Sequence, residues 1–211
     1  MKTLILVLLS SFFSICLAQF PAGYSPKDGD ILFQSLPHSP LVDAIEGATE
    51  SPYSHCGVLY KNGTQWVVLE AIGPVKETHI EDWIKQGRKD EFDVFRLKTP
   101  FQKHIPDFIA ACQTYLGRPY DIRYRMDDEN IYCSELLYKG FRDATSETLG
   151  KTILLGDLKW ENHLQVIIQI EGRVPEEREM ITPRHLSEAT QLEKIEISAP
   201  PKNSKKFSKL K

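Results

Sequence analysis

A cysteine at the start of a predicted helix is the first candidate for chemistry in this sequence. From Cys133, small and apolar residues recur three and four positions apart, at Leu136, Leu137, Gly140, Phe141 and Ala144. This is the spacing of one buried helical stripe, so the thiol is expected to point inward. Asn130 is a suitable N-cap, and unpaired backbone N–H groups at a helix start stabilise a thiolate. Cys133 is therefore either a nucleophile or a small core residue, and the helix alone leaves both open.

A predicted β-hairpin supplies a second pair of candidates. Strand-like residues flank Asn62-Gly63, the preferred centre of a two-residue turn. With these two residues in the turn, the register places His55 directly opposite Glu70 on one face of the hairpin. The same face carries Leu59, Trp66 and Val68. We therefore expect the pair at the end of an apolar surface.

Together, these three residues have the types of a nucleophile, a base and an orienting group. The carboxylate of Glu70 would hold the imidazole of His55 in one tautomer and stabilise its protonated form. The alternative is an ordinary cross-strand ion pair on a solvated sheet, and a single bulge in either strand would break the register.

The elements that must position these residues belong to one globular domain. With 211 residues, the chain is long enough for a single well-filled core. Further strands are predicted at 30–34 and 92–98, and helices at 41–48, 78–87, 106–116 and from Thr182 to about Ala189. The net charge is −3, and zinc-finger and glycine-rich phosphate motifs are missing from the sequence, so no nucleic-acid partner is expected.

The two ends of the chain differ from this domain. Residues 1–18 have a positive start, an apolar core and small residues before Gln19, which is the pattern of a cleavable signal peptide. A transmembrane helix is disfavoured because serines interrupt the apolar run, and a lipoprotein signal because Ile15 precedes Cys16. We therefore expect export to a periplasmic or extracellular space, with the domain at 19–199. We expect residues 200–211 to form a lysine-rich, disordered tail with weak attraction to anionic surfaces.

Three cysteines remain once the signal is removed. They are Cys56, Cys112 and Cys133, so at least one thiol is unpaired within a monomer. A bridge between Cys56 and Cys112, or no bridge at all, fits this count equally well. Cys112 lies on the apolar stripe of its predicted helix and is most simply a core residue. The sequence has no Cys-x-x-Cys pair, so we expect neither a zinc site nor any other cofactor.

Several short motifs, taken together, resemble one known family. They are GDILFQ at 29–34, YSHCGV at 53–58, VLEAIG at 68–73, LGRPYD at 116–121, YCSEL at 132–136 and ITP at 181–183. In order and spacing they are similar to the YiiX/YebB-like family of circularly permuted papain-fold cysteine hydrolases, which are related to the NlpC-type enzymes. The resemblance runs from about Gly29 to about Leu192. It implies an α+β fold in which an antiparallel sheet packs against helices, including the helix that starts at the nucleophile.

The resemblance also implies roles for individual residues. Cys133 would be the nucleophile, His55 the general base and then acid, and Glu70 the group that orients His55. Tyr120 and Ser54 are the candidates for contacts with the oxyanion or substrate. The family usually has an aliphatic residue after the histidine, whereas this chain has Cys56. By strand alternation Cys56 faces away from His55, so we expect this departure to have little bearing on catalysis.

The function implied is an exported thiol hydrolase. It would cleave an amide bond, peptide or N-acyl, through a Cys-His-Glu triad and a thioester intermediate. One alternative within the fold is a lipid or thioester acyl hydrolase or acyltransferase. Another, from a different class, is a non-catalytic envelope-binding module that uses the cleft for recognition alone.

Overall fold

The computed structural model describes residues 20–21 and 23–197, which form eight strands and seven α-helices. The strands are β1 Asp30–Gln34, β2 His55–Asn62, β3 Gln65–Ala71, β4 Val75–His79, β5 Asp93–Leu97, β6 Ile153–Leu154, β7 Glu179–Met180 and β8 Leu192–Ile195. The helices are α1 Pro40–Thr49, α2 Ile80–Gln86, α3 Thr99–Gln102, α4 Ile105–Gln113, α5 Cys133–Thr145, α6 Leu164–Glu171 and α7 Pro183–Ser187. The expected signal peptide and basic tail lie outside the described residues.

A six-stranded antiparallel sheet lies at the centre of the fold. Its strand order is β4-β3-β2-β1-β5-β8, and β6 and β7 pair separately as a short ribbon. β1 and β2 lie in the middle and are almost wholly buried, because helices cover one face and a second apolar layer covers the other. The fold is therefore the expected α+β arrangement of an antiparallel sheet packed against helices.

The larger of the two cores lies between the sheet and helices α4, α5 and α7. The apolar stripe of α5 is buried as its spacing predicts, and Cys133, Leu136, Leu137 and Phe141 all belong to this core. Close packing of α4 on α5 depends on Gly140, since a Cβ there would lie 2.2 Å from Sγ of Cys112. Cys112 is thus the core residue that its helical position predicts.

The smaller core covers the opposite face of the sheet. It contains Leu32, Leu59, Val68 and Val94 from the strands and Trp83 from α2, which is fully buried. Leu59 and Val68 share this face as the hairpin pattern predicts, and Trp66 packs against them. Each strand of the centre therefore serves both cores, with alternate residues in each.

Three local predictions require correction. The helix predicted at 78–87 begins only at Ile80, because residues 75–79 pair with β3 as strand β4. The helix predicted at 106–116 is Ile105–Gln113. The N-cap of α5 is Tyr132 rather than Asn130: the backbone of Tyr132 is extended, and its N–H donates to Oε2 of Glu135 at 3.2 Å. Cys133 is therefore the first helical residue.

The hairpin register also differs from the prediction. Asn62 pairs with Gln65, so Gly63 and Thr64 form the turn rather than Asn62 and Gly63. Gly63 has a φ of 62°, which suits a two-residue turn with glycine first. Asn62 stays in the strand, where its side-chain amide donates to Glu77 of β4 at 2.9 Å. Every partner consequently moves by two residues, and Glu70 faces Gly57 instead of His55.

Within residues 20–21 and 23–197, no helix is long and apolar enough to cross a membrane.

Candidate active site

His55 and Glu70 meet in the structure even though they are not directly opposed. Nε2 of His55 lies 2.5 Å from Oε2 of Glu70, and both side chains are buried. A shift of two residues in register keeps the same face, so the pair becomes a diagonal one across β2 and β3. Gly57, between them, leaves room: a Cβ there would lie 3.3 Å from Cβ of Glu70 and 2.5 Å from a methyl group of Val68.

Glu70 is held by two further donors. Oγ1 of Thr78 donates to its Oε1 at 2.5 Å, and Nε2 of Gln86 donates to its Oε2 at 2.8 Å. Burial alone would raise the pKa of Glu70, but the hydrogen bonds from His55, Thr78 and Gln86 and the charge of His55 hold it below its usual range. The carboxylate is therefore ionised and fixed in orientation.

Cys133 approaches the start of β2 from the helical layer. Its thiolate interacts with the side chain and backbone N–H of Cys56 and with the imidazole of His55. The side chain of Cys56 has the largest effect in lowering the pKa of Cys133 well below its usual value; burial opposes it, and His55 adds to it. The hydroxyl of Ser134 donates to the carbonyl of Ile181 at 2.9 Å and anchors this end of α5.

His55 bridges the sheet and the helix. Because Nε2 is directed to Glu70, Nδ1 is the ring nitrogen available to Cys133. Burial would lower the pKa of His55, but its hydrogen bonds and charge interactions with Cys133 and Glu70 raise it to about 9. Near neutral pH the site therefore holds a thiolate beside an imidazolium, the reactive form of a cysteine hydrolase.

Cys56 lies closer to the chemistry than the sequence suggested. It does face away from His55, into the core that contains α5. However, Cys133 comes from that same face, so the side chain of Cys56 interacts with the nucleophile, which strand alternation alone does not indicate. Burial, together with the neighbouring thiolate, raises the pKa of Cys56 well above its usual value. Cys56 is therefore a protonated donor.

Two tyrosines lie close to Cys133. The hydroxyls of Tyr120 and Tyr124 are 3.0 Å apart, and the charge of Cys133 raises the pKa of both after the larger effect of burial. Tyr124 has a φ of 53°, a left-handed conformation that costs a non-glycine residue about 1–2 kcal/mol. The loop is tied to α5 through buried Lys139, whose Nζ lies 2.7 Å from a carboxylate oxygen of Asp128.

Ser54, the other predicted contact residue, has a different environment. Its hydroxyl accepts from the N–H of Leu36 at 2.8 Å, and its own N–H donates to the carbonyl of Gln34 at 3.1 Å. It is buried and joins the end of β1 to the start of β2. The structure therefore places Ser54 where it supports the backbone around His55.

Residues that sequence analysis missed are Thr78, Gln86 and Tyr124. Thr78 and Gln86 lie in the segment predicted as one continuous helix. An extended β4 would have indicated Thr78, because it pairs with Val68 and is then a diagonal neighbour of Glu70. The sequence carries no comparable signal for Gln86 or Tyr124, whose positions depend on tertiary packing.

An open apolar groove with a cavity volume of about 100 Å³ lies between α1 and α6. Tyr124, on which the charge of Cys133 acts, is part of its lining. Its walls are almost entirely apolar, with Arg123, His163, Glu171 and Arg178 as the charged or ionisable residues. Apolar residues that line it include Leu41, Ile45, Leu155, Leu158, Trp160, Ile167 and Ile170.

All three cysteines of the described residues are free thiols. In the same part of the chain, no group of three or more His, Cys, Asp or Glu side chains has an arrangement that could hold a metal ion.

Comparisons with known proteins show the family to which the chain belongs. A family model described as a permuted papain-like amidase enzyme, YaeF/YiiX, C92 family, matches residues 25–196. The chain is 32% identical over 182 residues to the uncharacterised protein YiiX of Escherichia coli strain K12, covering 83% of this chain and 89% of that protein. It is also similar to the crystal structure of YiiX from Escherichia coli O157:H7, described as a metalloprotein: the TM-score is 0.78 and the identity 30%, over 84% of this chain and 100% of the other.

Proposed function

Because this chain belongs to the YaeF/YiiX family of permuted papain-like amidases, we propose that it is a thiol hydrolase that cleaves an amide bond, peptide or N-acyl, through Cys133, His55 and Glu70. The observation that carries this proposal is the position of His55, which contacts the thiolate of Cys133 and the carboxylate of Glu70 at once. A nucleophile, a base and an orienting group in one buried array are the requirements of acyl transfer to sulfur.

The steps follow from these contacts. The thiolate of Cys133 attacks the carbonyl carbon, and N–H groups of the first turn of α5 stabilise the oxyanion because they lack acceptors inside the helix. We also propose that Tyr120 contacts the oxyanion or the substrate. Protonated His55 then donates to the leaving amine, which leaves a thioester on Cys133. Neutral His55 next removes a proton from water, which attacks the thioester and releases the acid.

Glu70 acts on this cycle through His55. Its negative charge favours the imidazolium that must be present when the amine leaves, and its fixed carboxylate aligns the ring. We expect the rate of amide cleavage to fall as the pH rises through about 9, because His55 then loses its proton. Below the lowered pKa of Cys133 the rate falls again, since the thiolate becomes protonated.

The direct test is a substrate screen of the wild type against Cys133→Ala. Substrates should include peptidoglycan peptides, N-acyl amino acids and lipid esters, with product release and the mass of a trapped acyl-enzyme as readouts. We expect turnover and a thioester adduct on the wild type alone. Equal turnover by Cys133→Ala would contradict the proposal, and retention of a ligand without turnover would favour the binding module.

The apolar groove favours a second candidate within the same chemistry, an acyl hydrolase or acyltransferase for substrates with a long hydrocarbon chain. The groove is lined by aliphatic side chains, which suit an alkyl chain better than a polar peptide, and by Tyr124, on which the charge of Cys133 acts. In this candidate the acyl carbon lies at Cys133 and its chain extends between α1 and α6.

Two neighbouring isoleucines of α6 can test the groove. Ile167 lines it, whereas Ile168 is 41% exposed on the same helix. Ile167→Gln should raise KM for long-chain N-acyl substrates several-fold and leave short-chain ones unchanged, and Ile168→Gln should change neither. An equal effect of both variants, or no dependence on chain length, would contradict this candidate.

Export is proposed from the sequence of residues 1–18. The mature protein recovered from the periplasmic or extracellular fraction should begin near Gln19, and deletion of residues 1–18 should retain it inside the cell. A chain that keeps Met1 outside the cytoplasm would contradict a cleaved signal. We also propose that residues 200–211 contact anionic surfaces weakly, which added salt would weaken.

A further inference from the structure

The contact between Cys56 and Cys133 has a chemistry beyond acyl transfer. Cys56 follows His55 in β2 and Cys133 starts α5; this helix packs against β2, and both cysteines belong to the core between the sheet and the helices. Both side chains are buried in one core, at 0% and 1% exposure, and both are free thiols. Two thiols in side-chain contact, one of them ionised, are the reactants for disulfide formation.

We propose that Cys56 is a resolving cysteine, and that hydroperoxide oxidation of Cys133 ends in a reversible Cys56–Cys133 disulfide that switches the hydrolase off. The disulfide consumes the nucleophile, so acyl transfer stops. Reduction by a dithiol restores both thiols, and the sulfur is spared from irreversible sulfinic acid.

The reaction balances with hydrogen peroxide as the oxidant. The thiolate of Cys133 attacks one peroxide oxygen, the O–O bond breaks, and the products are a sulfenic acid and hydroxide, which becomes water. The sulfur of Cys56 then attacks the sulfenic sulfur, the S–O bond breaks, and the hydroxide leaves with the proton of Cys56 as a second water. Both sulfurs are oxidised to the disulfide level while the peroxide is reduced to water.

The oxidation state of Cys133 controls how easily Cys56 loses its proton. While Cys133 is a thiolate, its negative charge and the burial of Cys56 keep the second thiol protonated. Formation of the neutral sulfenic acid removes that charge, which makes loss of the proton from Cys56 easier. His55, already in contact with Cys133, can carry the proton to the departing hydroxide.

Cys112 provides the matched control. It is also fully buried, but its Sγ donates to the carbonyl of Leu136 at 3.5 Å, and the charge that acts on it is that of Asp143. Burial and that negative charge raise its pKa above the usual value, so it forms little thiolate. We expect it to stay reduced under the same treatment.

The test is graded peroxide treatment of the mature protein, followed by alkylation of free thiols, peptide mapping without reduction, and reassay after dithiothreitol. The wild type should lose the mass of two hydrogen atoms, yield a cross-linked peptide pair containing Cys56 and Cys133, and regain its starting thiol reactivity. These readouts need no substrate, so they remain informative if the proposed function fails.

Variants make the result decisive. In Cys56→Ala, the same treatment should add two oxygen atoms to Cys133, and dithiothreitol should recover less than about a tenth of its own starting reactivity. Cys112→Ala should behave like the wild type. A wild type that gives only sulfinic acid or an intermolecular dimer would overturn the proposal, as would equal recovery by Cys56→Ala.

Discussion

Cys133 and Cys112 are equally buried cysteines on neighbouring helices, yet their surroundings drive the two thiols in opposite directions. Cys112 meets a backbone carbonyl and the charge of a carboxylate, so burial dominates and its pKa rises. Cys133 meets the thiol and N–H of Cys56 and the imidazole of His55, all of which favour a negative sulfur. Burial alone therefore does not decide whether a core thiol is inert. The hydrogen-bond donors that contact the sulfur decide whether the thiol ionises and becomes reactive.

The largest expected effect is the loss of the nucleophile. Cys133→Ala should reduce turnover by at least about 10⁴-fold, because no other group can form the thioester. A mild alkylator should modify the wild type at Cys133 alone, and Cys112→Ala should leave both labelling and turnover unchanged. Labelling of Cys112 at a rate similar to that of Cys133 would contradict the expected difference in reactivity between the two thiols.

Loss of the imidazole should come next. In His55→Ala the thiolate of Cys133 loses a hydrogen bond and a neighbouring positive charge. The pKa of Cys133 should therefore rise towards that of an ordinary thiol. At neutral pH the rate of alkylation should then fall by on the order of 10²-fold or less, and amide cleavage should fall further because the general acid is gone. Alkylation quenched at several times and analysed by mass spectrometry measures the rate of Cys133 labelling. Unchanged labelling would show that His55 does not activate the thiol.

Neutralising Glu70 should have a smaller and pH-dependent effect. Glu70→Gln keeps an acceptor for Nε2 of His55 but removes a charge that raises the pKa of His55. The alkaline limb of the pH–rate profile follows the pKa of His55, so it should move to a pH below about 9. At neutral pH, kcat should fall roughly tenfold. Glu77→Gln is the control, since Glu77 of β4 accepts from Asn62 of β2 and should leave the limb in place. An upward movement of the limb would contradict the role of Glu70.

The smallest effect on turnover should come from Cys56. Cys56→Ala removes the side chain that lowers the pKa of Cys133 most, but it leaves the backbone N–H and the general acid His55 in place, so the pKa of Cys133 should rise without loss of a reacting group. The pH at half-maximal alkylation of Cys133 should therefore move upward. Cys112→Ala should not move it. A downward shift would mean that Cys56 does not stabilise the thiolate.

Sequence analysis predicted the fold through its most regular patterns. The hairpin pattern predicted that Leu59, Trp66 and Val68 share an apolar face, and the helical stripe from Cys133 predicted the buried face of α5; the structure agrees with both. The hairpin prediction failed in register, because glycine can take either turn position and the Asn62–Glu77 contact, which depends on β4, favours one of them. The error in register was two residues, an even number, so Glu70 stays on the predicted face of the sheet.

The candidate site was predicted only in part. His55, Glu70 and Cys133 were found from local patterns and family motifs. The contact of Cys56 with Cys133, and of Thr78 and Gln86 with Glu70, requires knowledge of which layer α5 and α2 pack against. Periodicity in a single strand or helix carries no such information, since it reports a buried face without naming the partner.

The division of the site between a sheet and a helix gives it a diagnostic property. His55 and Glu70 belong to the sheet, whereas Cys133 belongs to α5, and only the docking of those layers joins them. A molten globule, in which helices and strands persist but side-chain packing is lost, would keep its far-ultraviolet circular dichroism without an ion pair at the thiol. The reactivity of the Cys133 thiol therefore reports whether the native tertiary packing of the domain is intact.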